Sequence, residues 1–144
     1  MRLGVDVGSV RVGVAICDPD GILATPLITL SRDLGSEGGA VPKDIAALAR
    51  LVELHESVEV VVGLPVTLAG TEGPAARQVR AYTELLAQVI APVPVRLTDE
   101  RMSTVSATRR LSERGVRGRR RRAVVDQAAA VEILQRWLDA RRRR

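Results

Sequence analysis

Asp6 interrupts an otherwise apolar run, Leu3-Gly4-Val5-Asp6-Val7-Gly8. Carboxylates are depleted from strands, and burying one without a partner costs several kcal/mol or neutralises it. An acid at this place is expected to serve through its charge, with a bound cation as its counterpart. A second acid has the same character. Asp126 is followed at helical spacing by Ala130, Ile133 and Trp137, so it lies on a helix face that is otherwise apolar. An acid in a helix's first turn complements the helix dipole, but that does not require the buried face. A third group, Thr98-Asp99-Glu100-Arg101, follows a strand-like segment directly, at the strand end where open α/β sheets place their ligands. Successive strand residues point to opposite faces, so one of Asp99 and Glu100 can enter a given site, and spacing leaves open which. Arg101 is placed to pair with the other acid or to contact a phosphate.

Other chemistries find little material. Cys17 is the only cysteine and His55 the only histidine, which removes intramolecular disulfides and multi-cysteine zinc sites and gives Ser-His or Cys-His catalysis poor support. Cys17 reads as a small buried hydrophobe and His55 as the structural or solvated end of a helix stripe. The remaining chemistry is that of carboxylates, hydroxyls, arginines and metal ions.

These groups are carried by 144 residues, one domain's length, with 46% hydrophobic and 27% charged residues. No apolar run reaches the roughly 20 residues that span a bilayer, and Asp6 breaks the one candidate signal-peptide core, so a cytoplasmic protein without membrane contact is expected. Charge is uneven: residues 1–96 carry 8 basic and 11 acidic groups, whereas residues 97–144 carry 14 arginines and 6 acids. A basic half beside a mildly acidic half suggests a polyanion partner, with Arg119, Arg120, Arg121 and Arg122 in a loop over 117–122 and a basic tail at 141–144.

Three strands are expected first: around Val5–Val7, over Val12–Ile16, and from Ile22 to Leu30 after the turn Asp18-Pro19-Asp20-Gly21. Asp44 then caps a helix with Ile45, Leu48, Val52 and His55 on one face. Val58–Val62 reads as a buried parallel strand. Pro74 opens a second helix with Ala75, Val79, Tyr82, Leu86 and Val89 at helical spacing. Val93–Leu97 is a fifth strand, Ser103 or Thr104 starts a short helix ended by Gly115, and a last helix runs from about Ala123 to about Arg141. This order predicts one α/β domain over 1–144, with a mixed five-stranded sheet in which an antiparallel meander precedes parallel strands, flanked by helices.

The run Val5-Asp6-Val7-Gly8-Ser9-Val10-Arg11-Val12-Gly13-Val14-Ala15 resembles the opening motif of the YqgF family. Gly63-Leu64-Pro65 with Gly70-Thr71-Glu72-Gly73-Pro74, then Asp99 to Thr104, then Val125 to Val131 continue the resemblance in order over nearly the whole chain. Ala69 departs from it, where many members carry an acid. The resemblance implies an RNase H-like fold and a nuclease for the 5′ end of pre-16S ribosomal RNA, or a Holliday-junction resolvase. It maps the family's acidic positions onto Asp6, Glu100 and Asp126. The expected mechanism is hydrolysis of phosphodiester bonds with two divalent ions held by these acids; oxygen-only ligands favour Mg²⁺ or Mn²⁺. Arg11 and Arg101 would steady the phosphate, and Arg119–Arg122 would hold the nucleic acid. The alternatives are a non-catalytic RNA-binding assembly factor and, more remotely, an ATP-using enzyme, for which the chain is too short to form two domains. Monomer and homodimer both remain open, a two-fold dimer suiting symmetric junction cleavage.

Overall fold

The computed structural model describes residues 1–35, 40–66, 70–100 and 119–142, with only the helical backbone given over 119–123. Arg101, Ala69, the helix expected after Ser103 or Thr104, and the side chains of Arg119–Arg122 lie outside the described residues.

Five strands form one sheet: β1 (Arg2–Val7), β2 (Arg11–Cys17), β3 (Ala24–Ser31), β4 (Glu59–Leu64) and β5 (Val95–Asp99). Their order is β3-β2-β1-β4-β5, with β1, β2 and β3 antiparallel and β4 and β5 parallel to β1. This is the expected mixed sheet. Period-two alternation divides its residues between two cores. Leu3, Val5, Val12, Val14, Val60, Val62 and Leu64 face α1 (Lys43–Leu54) and α2 (Pro74–Ile90), which contribute Ile45, Leu48, Val52, Val79, Leu86 and Ile90. Ala15, Cys17, Ala24 and Val61 face the last helix, α3 (Arg119–Arg142), which contributes Ala130, Ile133, Leu134 and Leu138.

Several boundaries differ from expectation for local reasons. β3 starts at Ala24 because the Asp18 carboxylate accepts hydrogen bonds from the Ile22 and Leu23 N–H groups at 2.8 and 2.7 Å, holding both in the turn. β5 starts at Val95 because Val93 N–H bonds back to the Ile90 carbonyl in a turn. Asp44 does not cap α1. Pro42 takes that position, Asp33 accepts from the Lys43 N–H at 2.9 Å, and Asp44 is buried within the first turn. Its oxygens accept from Tyr82 Oη at 2.8 Å and lie 3.7 Å from Arg32 Nε. Burial, then the hydrogen bond and charge of Asp44, push the Tyr82 hydroxyl well above its ordinary value. In α2 it is Ala76, not Ala75, that is buried.

The largest correction concerns the arginine run. Arg119–Arg122 form the first turn of α3 rather than a loop, because arginine is a good helix former and neither glycine nor proline interrupts the sequence after Gly118. The expected tail is also helical at Arg141 and Arg142, and Arg142 donates to Asp139 and to the Gly21 and Ile22 carbonyls.

Candidate active site

Asp6 occupies the middle strand of the sheet, next to the carboxyl end of β1, and is 2% exposed. Leu3 and Val5 face α1 and α2, so alternation turns Gly4 and Asp6 toward α3. A Cβ added at Gly4 would meet the Leu134 Cβ at 2.6 Å, which places α3 directly over that face.

Both lateral neighbours of Asp6 are glycines. Gly13 pairs with it across the antiparallel β1–β2 ladder. The parallel register sets Val5 beside Val62, and one further residue sets Asp6 abreast of Gly63. A Cβ at Gly13 would lie 2.1 Å from the Asp126 backbone oxygen, and one at Gly63 would lie 2.6 Å from Glu100 Oε2. At Gly13 the obstacle is backbone, which cannot turn aside; at Gly63 it is the tips of the Glu100 and Ile133 side chains, which a larger residue would displace. The two glycines therefore admit α3 on one side of Asp6 and the Glu100 carboxylate on the other.

Glu100 follows β5 and is 9% exposed; its N–H donates to the Leu64 carbonyl at 3.2 Å. Val95 and Leu97 pack on the α1/α2 core, so Thr98 and Glu100 share the opposite parity, while Asp99 is exposed. The fold thereby settles which member of the Asp-Glu pair turns toward α3. A small recess there is lined by Thr98, Asp99, Glu100, Glu132, Ile133 and Arg136.

Asp126 is 3% exposed and sits in the third turn of α3, not the first, which removes the helix-dipole account of its position. Its Oδ2 accepts from Arg11 Nε at 2.7 Å. The cation beside Asp126 in this structure is therefore a guanidinium from the start of β2. Arg11, expected to steady a phosphate, is engaged with this acid. One residue on, Gln127 Nε2 donates to Thr29 Oγ1 at 3.1 Å and fixes the helix against β3.

Asp6, Glu100 and Asp126 thus come from β1, the end of β5 and α3 to one side of the sheet, near the carboxyl ends of its parallel strands. They are not gathered into a preformed metal cluster: among the described residues, no group of three or more histidine, cysteine, aspartate or glutamate side chains could hold a metal ion. In kind the donors suit a hard cation, being oxygen only. Sequence reasoning missed the roles of Gly13 and Gly63 and the Arg11–Asp126 pair. Glycine inside an apolar strand is itself a signal of close backbone approach and could have indicated the first two. The ion pair joins residues 115 positions apart and left no local trace.

A mixed five-stranded sheet with helices on both faces and buried acids toward its carboxyl end defines the RNase H-like class. The fold is similar to that of T. thermophilus RuvC in complex with a Holliday junction substrate, with a TM-score of 0.57 at 17% identity over 98% of this chain and 94% of the other. A family model described as "RuvX: Holliday junction resolvase" matches residues 1–140, and the chain belongs to this family. Curated relatives include a protein of Frankia casuarinae, 59% identical over 99% of this chain and 68% of its own length, and one of Mycolicibacterium smegmatis, 55% identical over 98% and 81%. Both carry the name "Putative pre-16S rRNA nuclease". No helix among the described residues is long and apolar enough to cross a membrane.

Proposed function

We propose that the chain is a single-domain cytoplasmic nuclease that hydrolyses phosphodiester bonds in a structured nucleic acid, with pre-16S ribosomal RNA as its substrate. The names of its relatives support the RNA reading. The family description and the fold shared with RuvC support a second, cleavage of branched DNA, and the same acids would serve either. The observation that carries the proposal is the arrangement around Asp6: a buried carboxylate between two glycines, with Glu100 over one and Asp126 backbone over the other.

Asp6, Glu100 and Asp126 would hold Mg²⁺ or Mn²⁺, two ions on the usual scheme. Such ions, when bound, make a nucleophile of water at neutral pH and neutralise charge on the scissile phosphate. The protein's own part is positional. The sheet fixes Asp6, the close approach at Gly13 sets the depth of Asp126, and Gly63 leaves room for Glu100. Arg11 neutralises Asp126 and has to release Oδ2 before that oxygen can take another cation. A phosphate entering the site offers the guanidinium a replacement partner of the same geometry. Arg101 is proposed as a further phosphate contact, and Arg119–Arg122 as contacts to the flanking strand.

The test is Mn²⁺-dependent cleavage of an RNA spanning a ribosomal precursor 5′ end, beside a four-way DNA junction, by wild type and Asp6→Asn. Loss of at least about a hundredfold in rate is expected with Asp6→Asn, a few kcal/mol of transition-state stabilisation. Equal activity in the two proteins removes the catalytic role, and the substrate cut by wild type decides between RNA and junction.

A further inference from the structure

Three arginines that the proposed catalytic groups do not use line one edge of the molecule. Among the described residues β5 is one of the sheet's two edge strands, and its residues Arg96 and Thr98, with Glu100 just beyond it, alternate toward α3. Arg136 lines the recess beside Thr98 and Glu100. Arg96 lies two residues before Thr98 on the same strand face. Arg96 and Arg141 meet at one carboxylate, Glu59, with closest approaches of 3.6 and 3.9 Å. The three guanidinium-bearing side chains thus follow one another from the Glu100 end of β5 toward its start.

Their heads are accessible. Side-chain exposure is 54% for Arg96, 51% for Arg136 and 47% for Arg141. Glu59 already accepts a 2.6 Å hydrogen bond from Arg2 Nε, so one buried negative charge faces three cations and most of the positive charge at Arg96 and Arg141 is in excess. Glu132 lies 4.0 Å from Arg136, one helical turn earlier. Arg142 belongs to a different contact, since it turns to Asp139 and the Gly21 and Ile22 carbonyls. At about 3.3 Å per residue, the strand from Arg96 to Glu100 covers roughly 13 Å, the rise of about four nucleotide steps measured along a duplex axis.

We infer that the β5 edge, through Arg96, Arg136 and Arg141, is a phosphate-binding track that leads the polynucleotide backbone flanking the cleaved bond away from Glu100. This rests on the nuclease reading and specifies the path its substrate takes. Contacts to phosphate position the strand and carry no sequence information of their own. Its acidic end, at Glu100, is the end at which cations and the scissile phosphate belong. Its basic end holds the next phosphates.

The experiment measures binding of the labelled substrate that wild type cleaves, by fluorescence anisotropy in EDTA across a range of salt concentrations. Arg96→Ala, Arg136→Ala and Arg141→Ala are compared with Arg50→Ala, an exposed arginine of α1 on the far face. Each track variant is expected to weaken binding and to lower the slope of log K against log salt by about 0.7–0.9, the value for one phosphate contact. Arg50→Ala is expected to leave the slope unchanged. Circular dichroism melts confirm folding, and Arg136→Glu, which breaks no contact to Glu59, serves if the other two variants unfold. A wild type that cleaves and binds while the track variants keep its slope overturns the track and leaves the nuclease reading standing. A wild type that neither binds nor cleaves overturns both.

Discussion

The two faces of the sheet are built on opposite plans. Against α1 and α2 the strands present branched aliphatic residues, and separation is maintained by side-chain volume. Against α3 they present Gly4, Gly13, Gly63, Ala15 and Ala24, and the helix answers with Ala129 and Ala130, so backbones come close. Buried polar groups occur on both faces, but to different ends. Asp44 is held by Tyr82 and by Arg32, whose guanidinium also lies 5.1 Å over the Tyr82 ring and donates to the Gly8 carbonyl. That network ties α1, α2 and the end of β3 together. On the other face, Asp6, Glu100 and Asp126 lie where the small residues have made room. Volume stabilises one face, and its absence creates a site on the other.

Substituting Gly13 by alanine should break this contrast most severely. The new methyl would meet the Asp126 carbonyl, a backbone atom that moves only with the helix, so the cost is expected at or above the upper end of the usual about 1–3 kcal/mol for overpacking. Thermal melts should show the loss, and cleavage should vanish. An active, wild-type-stable Gly13→Ala protein would remove the close approach from the account. Gly63→Ala meets the tips of Glu100 and Ile133 instead and is expected to cost less stability while still displacing the acid.

The Arg11–Asp126 pair permits a sharper trial. Arg11→Gln leaves a deeply buried carboxylate without its cation, which costs about 3 kcal/mol. Mn²⁺ should recover part of that loss, raising the melting temperature of Arg11→Gln more than that of wild type, because an ion that binds only the folded state stabilises it. Mn²⁺ that shifts neither protein would argue against Asp126 as a ligand.

Tyr82→Phe tests the opposite face. Removing the hydroxyl that donates to Asp44 is expected to cost about 1–3 kcal/mol, with no change in metal affinity measured by calorimetry.

The smallest effect concerns acid. Burial acts to raise the Glu59 carboxyl, but the hydrogen bond and charge of Arg2, aided by Trp137 and Arg141, bring it below its ordinary 4.5. The folded-state value is therefore depressed. Its stabilisation is complete above about pH 4.5 and disappears as pH falls through the folded-state value. Melting temperatures should fall less steeply from neutral to acid pH in Glu59→Gln than in wild type, and parallel curves would exclude this contribution.

Alternation and helical spacing, written locally in the chain, were enough to establish the mixed sheet, the inward faces of α1 and α3, and Asp6 and Asp126 as acids among apolar neighbours. The family resemblance added Glu100 and the RNase H-like fold. Where competing local preferences met, as in the arginine run that became helix and Asp44 that became a buried acceptor, pattern alone pointed the wrong way. The choice of Glu100 over Asp99 to face α3, the glycines that flank Asp6 from β2 and β4, and the reach of Arg11 to Asp126 were decided only by tertiary structure. Each depends on strand register and on how near a helix comes to a sheet, quantities set by the packing of the whole domain rather than by any one segment.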